Sequence, residues 1–405
     1  MVSVFTPSHD GKFLPEVYKS LLAQTDPGWE WCVLFNNDCE PMRFGDPRAH
    51  TSIAYHAPQW VGPLKAAACE MASGDILLEL DHDDLLMPTA VEEVRRAFED
   101  PEIGFAYSNT VHSDANFGKT PRFDEASGWR YREVGAFGHT LDEYVAFPPT
   151  PESVSRIWFA PDHLRAYRRS VYEKVGGYAR DMRVLDDMDL MCKMYLEARF
   201  AHIDKPLYVY RVTGENTWLR YNKEIQENVY RLYDQYVEPL AERWCERAGL
   251  RKVELGGRMA AKAGFETVDA KAPADMVCDL DGKWPFEDSS VGVIRAMDVF
   301  EHLGDPIHTM REASRVLAPG GWLFCQVPST DGRGAWQDPT HRSFWNQNSF
   351  LYYTDKRWAG YIDTPVRFQA PRLYTTDKDA NQVCWARAHL ISLKDGYRPC
   401  GQVGI

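Results

Sequence analysis

The sequence predicts an α/β chain of two domains, and three features predict it. Short apolar runs alternate with longer stretches whose apolar residues recur at helical spacing, first from the N-terminus and again after Gly249. Between the two series, Tyr221 to Ala248 form one unbroken helical pattern, with Ile225, Val229, Leu232, Tyr236 and Leu240 on a single stripe. At 405 residues and 44% hydrophobic composition, the chain has material for two cores. Alternation of this kind gives mostly parallel, doubly wound sheets, which bind ligands beyond the carboxyl ends of their strands.

In the first series, VSVFTP reads as a strand ending in a turn, and FLPEVYKSLLAQ as a helix with Leu14, Val17, Leu21 and Leu22 at helical spacing. WEWCVLFNND is a strand running into an Asn/Asp turn, and TSIAYHAP a further strand. PLKAAACEMASG is a helix closed by Gly74, DILLELD a strand, and PTAVEEVRRAFED a helix with Pro88 near its start. Residues 110–155 read as a looser, Gly-, Pro- and aromatic-rich lid or acceptor loop. A helix is expected from near Leu185, then strand and loop through HIDKPLYVYRVTGENTW. In the second series, RKVELGG, GFETVDA, DMVCDLD and the start of VGVIRAMDVFEHL are strands. PIHTMREASRVL is a helix stopped by APGG, and WLFCQVPST and QVCWARAHLISLK are strands.

A net charge of −13 argues against a general nucleic-acid or anionic-membrane surface. No apolar run has the roughly 20 residues that cross a bilayer, and MVSVFTPSHDG has no signal-peptide pattern. Nine cysteines without a CxxC pair read as reduced thiols of a cytoplasmic protein.

The stretch LELDHDDLLMP ends an apolar run with Asp81, Asp83 and Asp84. An isolated pattern of this kind is also a solvated turn or helix cap. As a ligand set it suits Mg²⁺ or Mn²⁺, which take one or two carboxylates and leave other positions to substrate phosphates. If the strand continues through it, alternation turns Asp81 and Asp83 to one side. The FTP, NND and DHDD turns all fall at strand ends and are expected in one crevice.

Taken together, VSVFTPSHD, FLPEVYKSLLAQTDPGWEWCVLFNND and GPLKAAACEMASGDILLELDHDDLLMP resemble the family 2 glycosyltransferases of the GT-A fold over residues 1–220. The resemblance implies that Thr6, Pro7 and Asp38 hold the nucleoside of a nucleotide-sugar, a UDP-sugar, with Lys65 at the nucleotide or diphosphate. It implies Asp81 at ribose or metal and Asp83 as the more direct metal ligand. LDDMDL then supplies the acidic pair Asp186 and Asp187, with Asp187 the catalytic base; acids at a helix start are also what the helix dipole favours. EKVGGYARD places Gly176, Gly177 and Tyr178 on the acceptor side, with Trp158 upstream to stack on a sugar. Many relatives have a histidine after the late strand; here Thr213 stands near that place, and Arg211 is the candidate to neutralise the leaving group.

VELGGRMAAKAGFETVDA, ADMVCDLDGKWPFEDSSVGVIRAMDVFEHLGDP and EASRVLAPGGWLFCQVPS resemble class I S-adenosylmethionine-dependent methyltransferases over about residues 250–395. That implies Glu254, Gly256 and Gly257 in the first turn, Asp269 at the ribose, Asp279 and Leu280 flanking adenine, and Asp298 and His302 facing the methyl donor. Asp269 follows Gly257 by only 12 positions, so the first helix of such a domain is expected to be missing or vestigial. DPTHRSFWNQNSF, with His341, is either an acceptor groove or an aromatic core.

The expected organisation is a GT-A domain at 1–220, a helical connector at 221–248 and a Rossmann-like methyltransferase-type domain at 249–405. The expected activity is metal-dependent inverting glycosyl transfer to a glycan, lipid-linked or protein acceptor, with a rear domain that O-methylates the glycan. Two other readings stay open: a methyltransferase whose front domain recognises glycan, and a non-catalytic sugar- or nucleotide-binding scaffold.

Overall fold

The computed structural model describes residues 1–36, 39–54, 60–157, 160–214, 216–258, 261–394 and 396. It divides into two compact units, Met1–Tyr236 and Val237–Ile405.

The front unit opens with β1 (Val2–Ser8), α1 (Leu14–Leu22), β2 (Trp29–Asn36), β3 (Ala49–Ala54), α2 (Val61–Met71) and β4 (Ile76–Glu79). These strands lie parallel in the order β3-β2-β1-β4. Growth of the sheet therefore reverses between β1 and β4, which creates a crevice at their carboxyl ends. Both strands are almost wholly buried, as parallel strands covered on two faces must be. Leu14, Val17 and Leu21 of α1 pack into the same core as Val2, Val4, Trp31 and Leu78. Three hydrogen bonds to one carboxylate stitch the entry to β4: Glu30 accepts from the Ser3 hydroxyl (2.5 Å), the Ser73 amide (2.5 Å) and the Gly74 amide (3.2 Å). Gly74 is needed there because a Cβ would sit 2.5 Å from the Met1 carbonyl oxygen.

The sheet continues through β5 (Leu85–Leu86), β6 (Ile103–Asp114), β9 (Arg165–Arg168) and β10 (Arg199–Val212), in the order β4-β9-β6-β10-β5. The intervening elements are α3 (Ala90–Ala97), a hairpin of β7 (Tyr131–Ala136) and β8 (His139–Tyr144), α4 (Pro151–Arg156), α5 (Arg169–Lys174) and α6 (Asp186–Glu197). Two sequence expectations change here. Residues 110–155 are not a loose loop: β6 runs to Asp114, β8 pairs with it, and Thr150 caps α4. The strand was hidden because β6 buries Ser108, Asn109, Thr110, His112 and Ser113 where aliphatics would be expected. Asn109 shows how such polarity is tolerated: it donates to Glu143 (2.6 Å) and Asp204 (2.8 Å) and accepts from the Ala146 amide (3.0 Å). Second, β4 ends at Glu79, and the Asp84 amide donates to the Asp81 carbonyl (3.2 Å). A turn, not strand alternation, sets where Asp81 and Asp83 point.

After α7 (Thr217–Arg220) and α8 (Asn222–Arg247) come β11 (Arg251–Leu255), β12 (Glu266–Asp269), β13 (Met276–Val277), β14 (Val291–Met297), α9 (Pro306–Val316) and β15 (Leu317–Pro328). Three short helices, α10 (Gly334–Gln337), α11 (Leu351–Thr354) and α12 (Lys356–Ala359), precede β16 (Phe368–Thr375) and β17 (Trp385–Ser392). The rear sheet has the order β13-β12-β11-β14-β15-β17-β16 and is parallel up to β15. Asp305 caps α9 by accepting from the Ile307 and His308 amides. Val253, Leu255, Ile294, Met310 and Leu323 lie at the centre of its core. No helix occurs between β11 and β12 among the described residues, as the short spacing requires. The APGG segment does not stop α9 ahead of a later strand; it lies inside β15, where pairing slips from Val291–Leu317 to Val293–Trp322 and Gly320 takes a φ of 78°. No helix among the described residues is long and apolar enough to cross a membrane.

Gly62 sets the approach of α2 to the chain entering α6. A Cβ there would lie 2.5 Å from the Ala179 carbonyl oxygen and 3.0 Å from that of Met182. Gly62→Ala should therefore lose ~1–3 kcal/mol in urea unfolding despite its better helix propensity; an unchanged or raised midpoint overturns this packing.

Candidate active sites

The front crevice is organised by one buried carboxylate. β4 pairs antiparallel with β9 so that Glu79 lies opposite Arg165. Glu79 is fully buried. Lys65 Nζ stands 2.5 Å from Oε1, and the Tyr178 and Tyr167 hydroxyls donate to Oε2 at 3.0 and 3.2 Å. Burial alone pushes the Glu79 carboxyl up; Lys65 and Arg165 outweigh it and hold the group well below the usual carboxylate range. Both cations reach onward. Lys65 lies 3.6 Å from Asp186 Oδ2, and Arg165 Nη1 donates to Asp187 Oδ2 at 2.7 Å.

The two acids at the head of α6 thus differ. Asp186 is buried, and burial, against the pull of Lys65 and helped by Asp187 and Glu79, pushes its carboxyl up to about 7. The Asp187 side chain keeps 21% of its surface open while Arg165 steers it. Of the pair, Asp187 is the carboxylate an acceptor can reach.

The acidic turn is braced from β10. Asp84 is buried and accepts from the Tyr208 hydroxyl (2.8 Å) and the Arg211 amide (2.7 Å), so it is a structural post. Burial, then Asp83 and Asp81, push its carboxyl well up. Asp83 is also raised, by burial and the Asp81 charge against the pull of His82 and Arg211. Ligand atoms of Glu79, Asp81 and His163 lie within 4.8 Å of one another. Burial and Arg165 push His163 down, but Asp162, whose Oδ1 is 3.0 Å from Nδ1, and Glu79 hold it up at about 10. His163 Nε2 stands 3.7 Å from Asp81 Oδ2 and acts as its counter-ion in the metal-free protein, while Asp81 and Asp83 offer oxygen donors at the turn.

Arg211 is fully buried, beside the Phe13 and Phe117 rings at 4.8 and 5.7 Å. Glu16 lies 2.9 Å from its Nη1, yet none of the three guanidinium nitrogens has a hydrogen-bond partner. The guanidinium is thus paired in charge with the half-exposed Glu16 while its hydrogen-bonding capacity stays unused.

Several expected roles shift. Thr6 is buried; its hydroxyl donates to the Leu80 carbonyl (2.7 Å) and accepts from Trp31 Nε1 (2.9 Å), leaving no free edge for a nucleoside. Lys65 is committed to Glu79 and Asp186. Tyr178, expected on the acceptor side, is 2% exposed and donates to Glu79, so it is a wall of the charge network. Gly177 makes room for the Tyr172 ring, 2.6 Å from where its Cβ would be, and Gly176 turns the chain at a φ of 84°. Pro7 is half-buried at the end of β1. Asp38 and Trp158 lie outside the described residues. Sequence reasoning missed Glu79, Arg165 and Asp162 and left His163 unplaced; a glutamate inside the apolar run ILLEL was the available signal, since a buried charge demands a partner.

In the rear unit, β11 and β14 flank the point where sheet growth reverses. Gly256 takes a φ of 69°, and a Cβ there would strike Val299 at 2.5 Å. A Gly257 Cβ would press on Glu254 and Thr267, each 3.1 Å away. Asp298 follows β14 at a φ of 56° and accepts from Gln326 Nε2 (3.0 Å). Asp269, at the end of β12, lies 3.9 Å from Arg258 and accepts from the Lys271 amide. Two expected contacts change: Glu254 is buried and spent on the Lys262 amide (2.7 Å) and Arg295 (3.4 Å), and Leu280 belongs to the core, its carbonyl accepting from Trp284 Nε1. Asp279 is exposed. His302 turns away to Thr340.

Residues 61–176 match the glycosyl transferase family 2 model, and residues 213–358 match a methyltransferase domain model. An uncharacterized glycosyltransferase of Haemophilus influenzae is 27% identical over 221 residues, 51% of this chain and 67% of that protein. An uncharacterized protein of Mycobacterium tuberculosis is 23% identical over 220 residues, 53% of this chain and 68% of its own length. Among solved structures, S. aureus TarS 1-349 in complex with UDP-GlcNAc aligns with a TM-score of 0.43 and 15% identity, over 60% of this chain and 72% of that one.

Two experiments test the front network. Glu79→Gln leaves two buried cations short of a counter-charge and should cost ~3–5 kcal/mol, whereas Glu79→Leu combined with Lys65→Met should recover much of it. The His163 value of about 10 lies above the ordinary one. Its stabilisation is therefore complete below about pH 6.5 and lost as pH rises toward 10. In metal-free urea melts the advantage of wild type over His163→Asn should shrink across that window; a constant difference overturns the pairing. The chain thus carries a stretch at residues 61–176 that matches the glycosyl transferase family 2 model and one at residues 213–358 that matches a methyltransferase domain model, and the first match together with the glycosyltransferase relative supports glycosyltransferase activity.

Proposed function

We propose that the front unit moves a sugar from a nucleotide-sugar, UDP-linked, to an acceptor hydroxyl with inversion, and that the rear unit O-methylates the glycan using S-adenosylmethionine. The observation that carries the first part is the buried Arg211 guanidinium without a hydrogen bond beside the like-charged Asp81–Asp83 turn. A diphosphate with a divalent cation satisfies both at once: phosphate oxygens accept from Arg211, and the cation relieves the carboxylates.

The residues present fit such an ion. Asp81 and Asp83 offer hard oxygen donors of the kind Mn²⁺ and Mg²⁺ prefer. When bound, the ion would supply charge stabilisation to the departing nucleoside diphosphate. The chain does the rest. Pro7 and, on the sequence resemblance alone, Asp38 would hold the nucleoside, and Arg211 shares the negative charge of the leaving group. Asp187, aimed by Arg165, takes the proton of the acceptor hydroxyl as it attacks from the opposite face. Gly176 and, on the sequence resemblance alone, Trp158 would meet the acceptor, a glycan, lipid-linked or protein acceptor.

For S-adenosylmethionine, the fit is carried by the open backbone at Gly256 and the carboxylates of Asp269 and Asp298 at neighbouring strand ends. Asp269 would take the ribose hydroxyls, and the cofactor would supply an electrophilic methyl group. The eight described cysteines are all free, which suits work in the reducing cytoplasm.

With Mn²⁺ present, the protein should bind UDP-sugars and hydrolyse them slowly without acceptor. Asp187→Asn should lower turnover ~10²–10⁴-fold with donor affinity nearly kept, while Asp83→Ala should abolish the manganese dependence of UDP binding. Equal activity in all three proteins ends the glycosyl-transfer assignment of these residues. Calorimetry with S-adenosylmethionine should show binding that Asp269→Ala removes; no heat with wild type ends the methylation reading.

A further inference from the structure

The rear unit holds a second cluster suited to a metal, and it differs chemically from the acidic turn. Phe300–His302 form one 3₁₀ turn directly after β14. The Glu301 carbonyl accepts from both the Arg342 amide (2.7 Å) and the Ser343 amide (3.0 Å), and the Ser343 hydroxyl donates to the Phe300 carbonyl (2.9 Å). Three hydrogen bonds thus dock the DPTHRS segment onto this turn and bring His341 beside His302, ring centroids 5.0 Å apart. One ligand atom from each of Glu301, His302 and His341 falls within 4.8 Å of the others.

Both imidazoles are set in the tautomer that ligates. His341 Nδ1 lies 2.9 Å from the Ala335 carbonyl, which can only accept, so Nδ1 carries the proton and Nε2 is a bare lone pair. The Thr340 hydroxyl donates to Asp338 (2.7 Å), so toward His302 Nδ1 at 3.1 Å it accepts, and His302 too presents Nε2. Fixing of Nδ1–H by a backbone or polar acceptor is the outer support that metal-bound histidines use. The Glu301 side chain is 2% exposed, and its Oε2 has no hydrogen-bond partner. A carboxylate does not stay buried and unpartnered without cost. Asp338 Oδ2 stands 3.9 Å from His341 Nε2, at the open side of the cluster.

We propose that Glu301, His302 and His341 bind a divalent first-row transition ion, of the zinc, cobalt or iron(II) class, with positions left open for water or a substrate oxygen. Two imidazoles and one carboxylate select against Mg²⁺ and Ca²⁺, which prefer all-oxygen sites. Three protein ligands leave the ion able to polarise a hydroxyl. The site stands on its own residues and needs neither bound S-adenosylmethionine nor the front-unit ion.

The test uses the full chain, stripped with chelator and titrated with Co²⁺ in excess Mg²⁺. Wild type and Asp83→Ala should each retain one tight equivalent with visible ligand-field absorption, and Co²⁺ should raise their melting temperatures. His302→Gln and His341→Gln should lose the absorption and the thermal shift, and Thr340→Val should bind ~10–100-fold more weakly. Circular dichroism of the metal-free variants establishes that they fold; should one not fold, Thr340→Val and Glu301→Gln carry the test. Unchanged cobalt affinity in the folded variants, no tight Co²⁺ in wild type, or loss of the equivalent in Asp83→Ala each overturn the proposal.

Discussion

The front unit depends on how a single carboxylate is kept charged in a dry interior. Glu79 leaves water completely, and that loss is offset only because Lys65 from α2 and Arg165 from β9 converge on it. The consecutive elements α2 and β4 and the distant β9 are therefore held in one arrangement by ion pairing in addition to packing. The two cations then extend to Asp186 and Asp187, which ties the helix carrying the acidic pair to the same centre. Removing any member leaves the rest with unbalanced charge in a low-dielectric setting, so the network behaves as one unit.

The two halves treat their polar groups differently. In front, the charged groups of the crevice have an opposite charge nearby; Arg211, whose counter-charge is the half-exposed Glu16, and the Asp81–Asp83 turn are the places where a diphosphate and a hard cation would add partners. Behind, Glu254 and Asp269 are partly engaged by Arg295 and Arg258, while the free lone pairs gather at Glu301, His302 and His341. Oxygen donors dominate one cluster and nitrogen donors the other, so the same mixture of ions would partition between them.

Much of this was readable from the sequence because it is local. Apolar periodicity located β1, α1, β2, α2 and β4, the 221–248 stripe located α8, and the short gap after Gly257 foretold a missing helix. The adjacent acids of LDDMDL do head α6, and the glycines of VELGG do end β11. What was not readable depends on pairing across distance. Glu79 meets Arg165 only because β4 and β9 are antiparallel neighbours, 86 residues apart, and no spacing rule announces that register. β6 was overlooked because its interior is polar and hydrogen-bonded. Thr6, Tyr178 and Leu280 were of suitable type in suitable places, yet their functional atoms are taken by Leu80, Glu79 and Trp284. Sequence shows which side chains are present near a crevice; only geometry shows which still have a hand free.

The short bond between Arg165 and Asp187 has a consequence for turnover in the proposed reaction. A base that accepts a proton loses its negative charge, and with it most of its hold on the guanidinium 2.7 Å away. Arg165 would then lean on Glu79, already 3.8 Å from it. Each catalytic cycle would thus load and unload a spring made of charge, and the solvent-facing side of Asp187 becomes the vent through which the captured proton departs before another acceptor can enter.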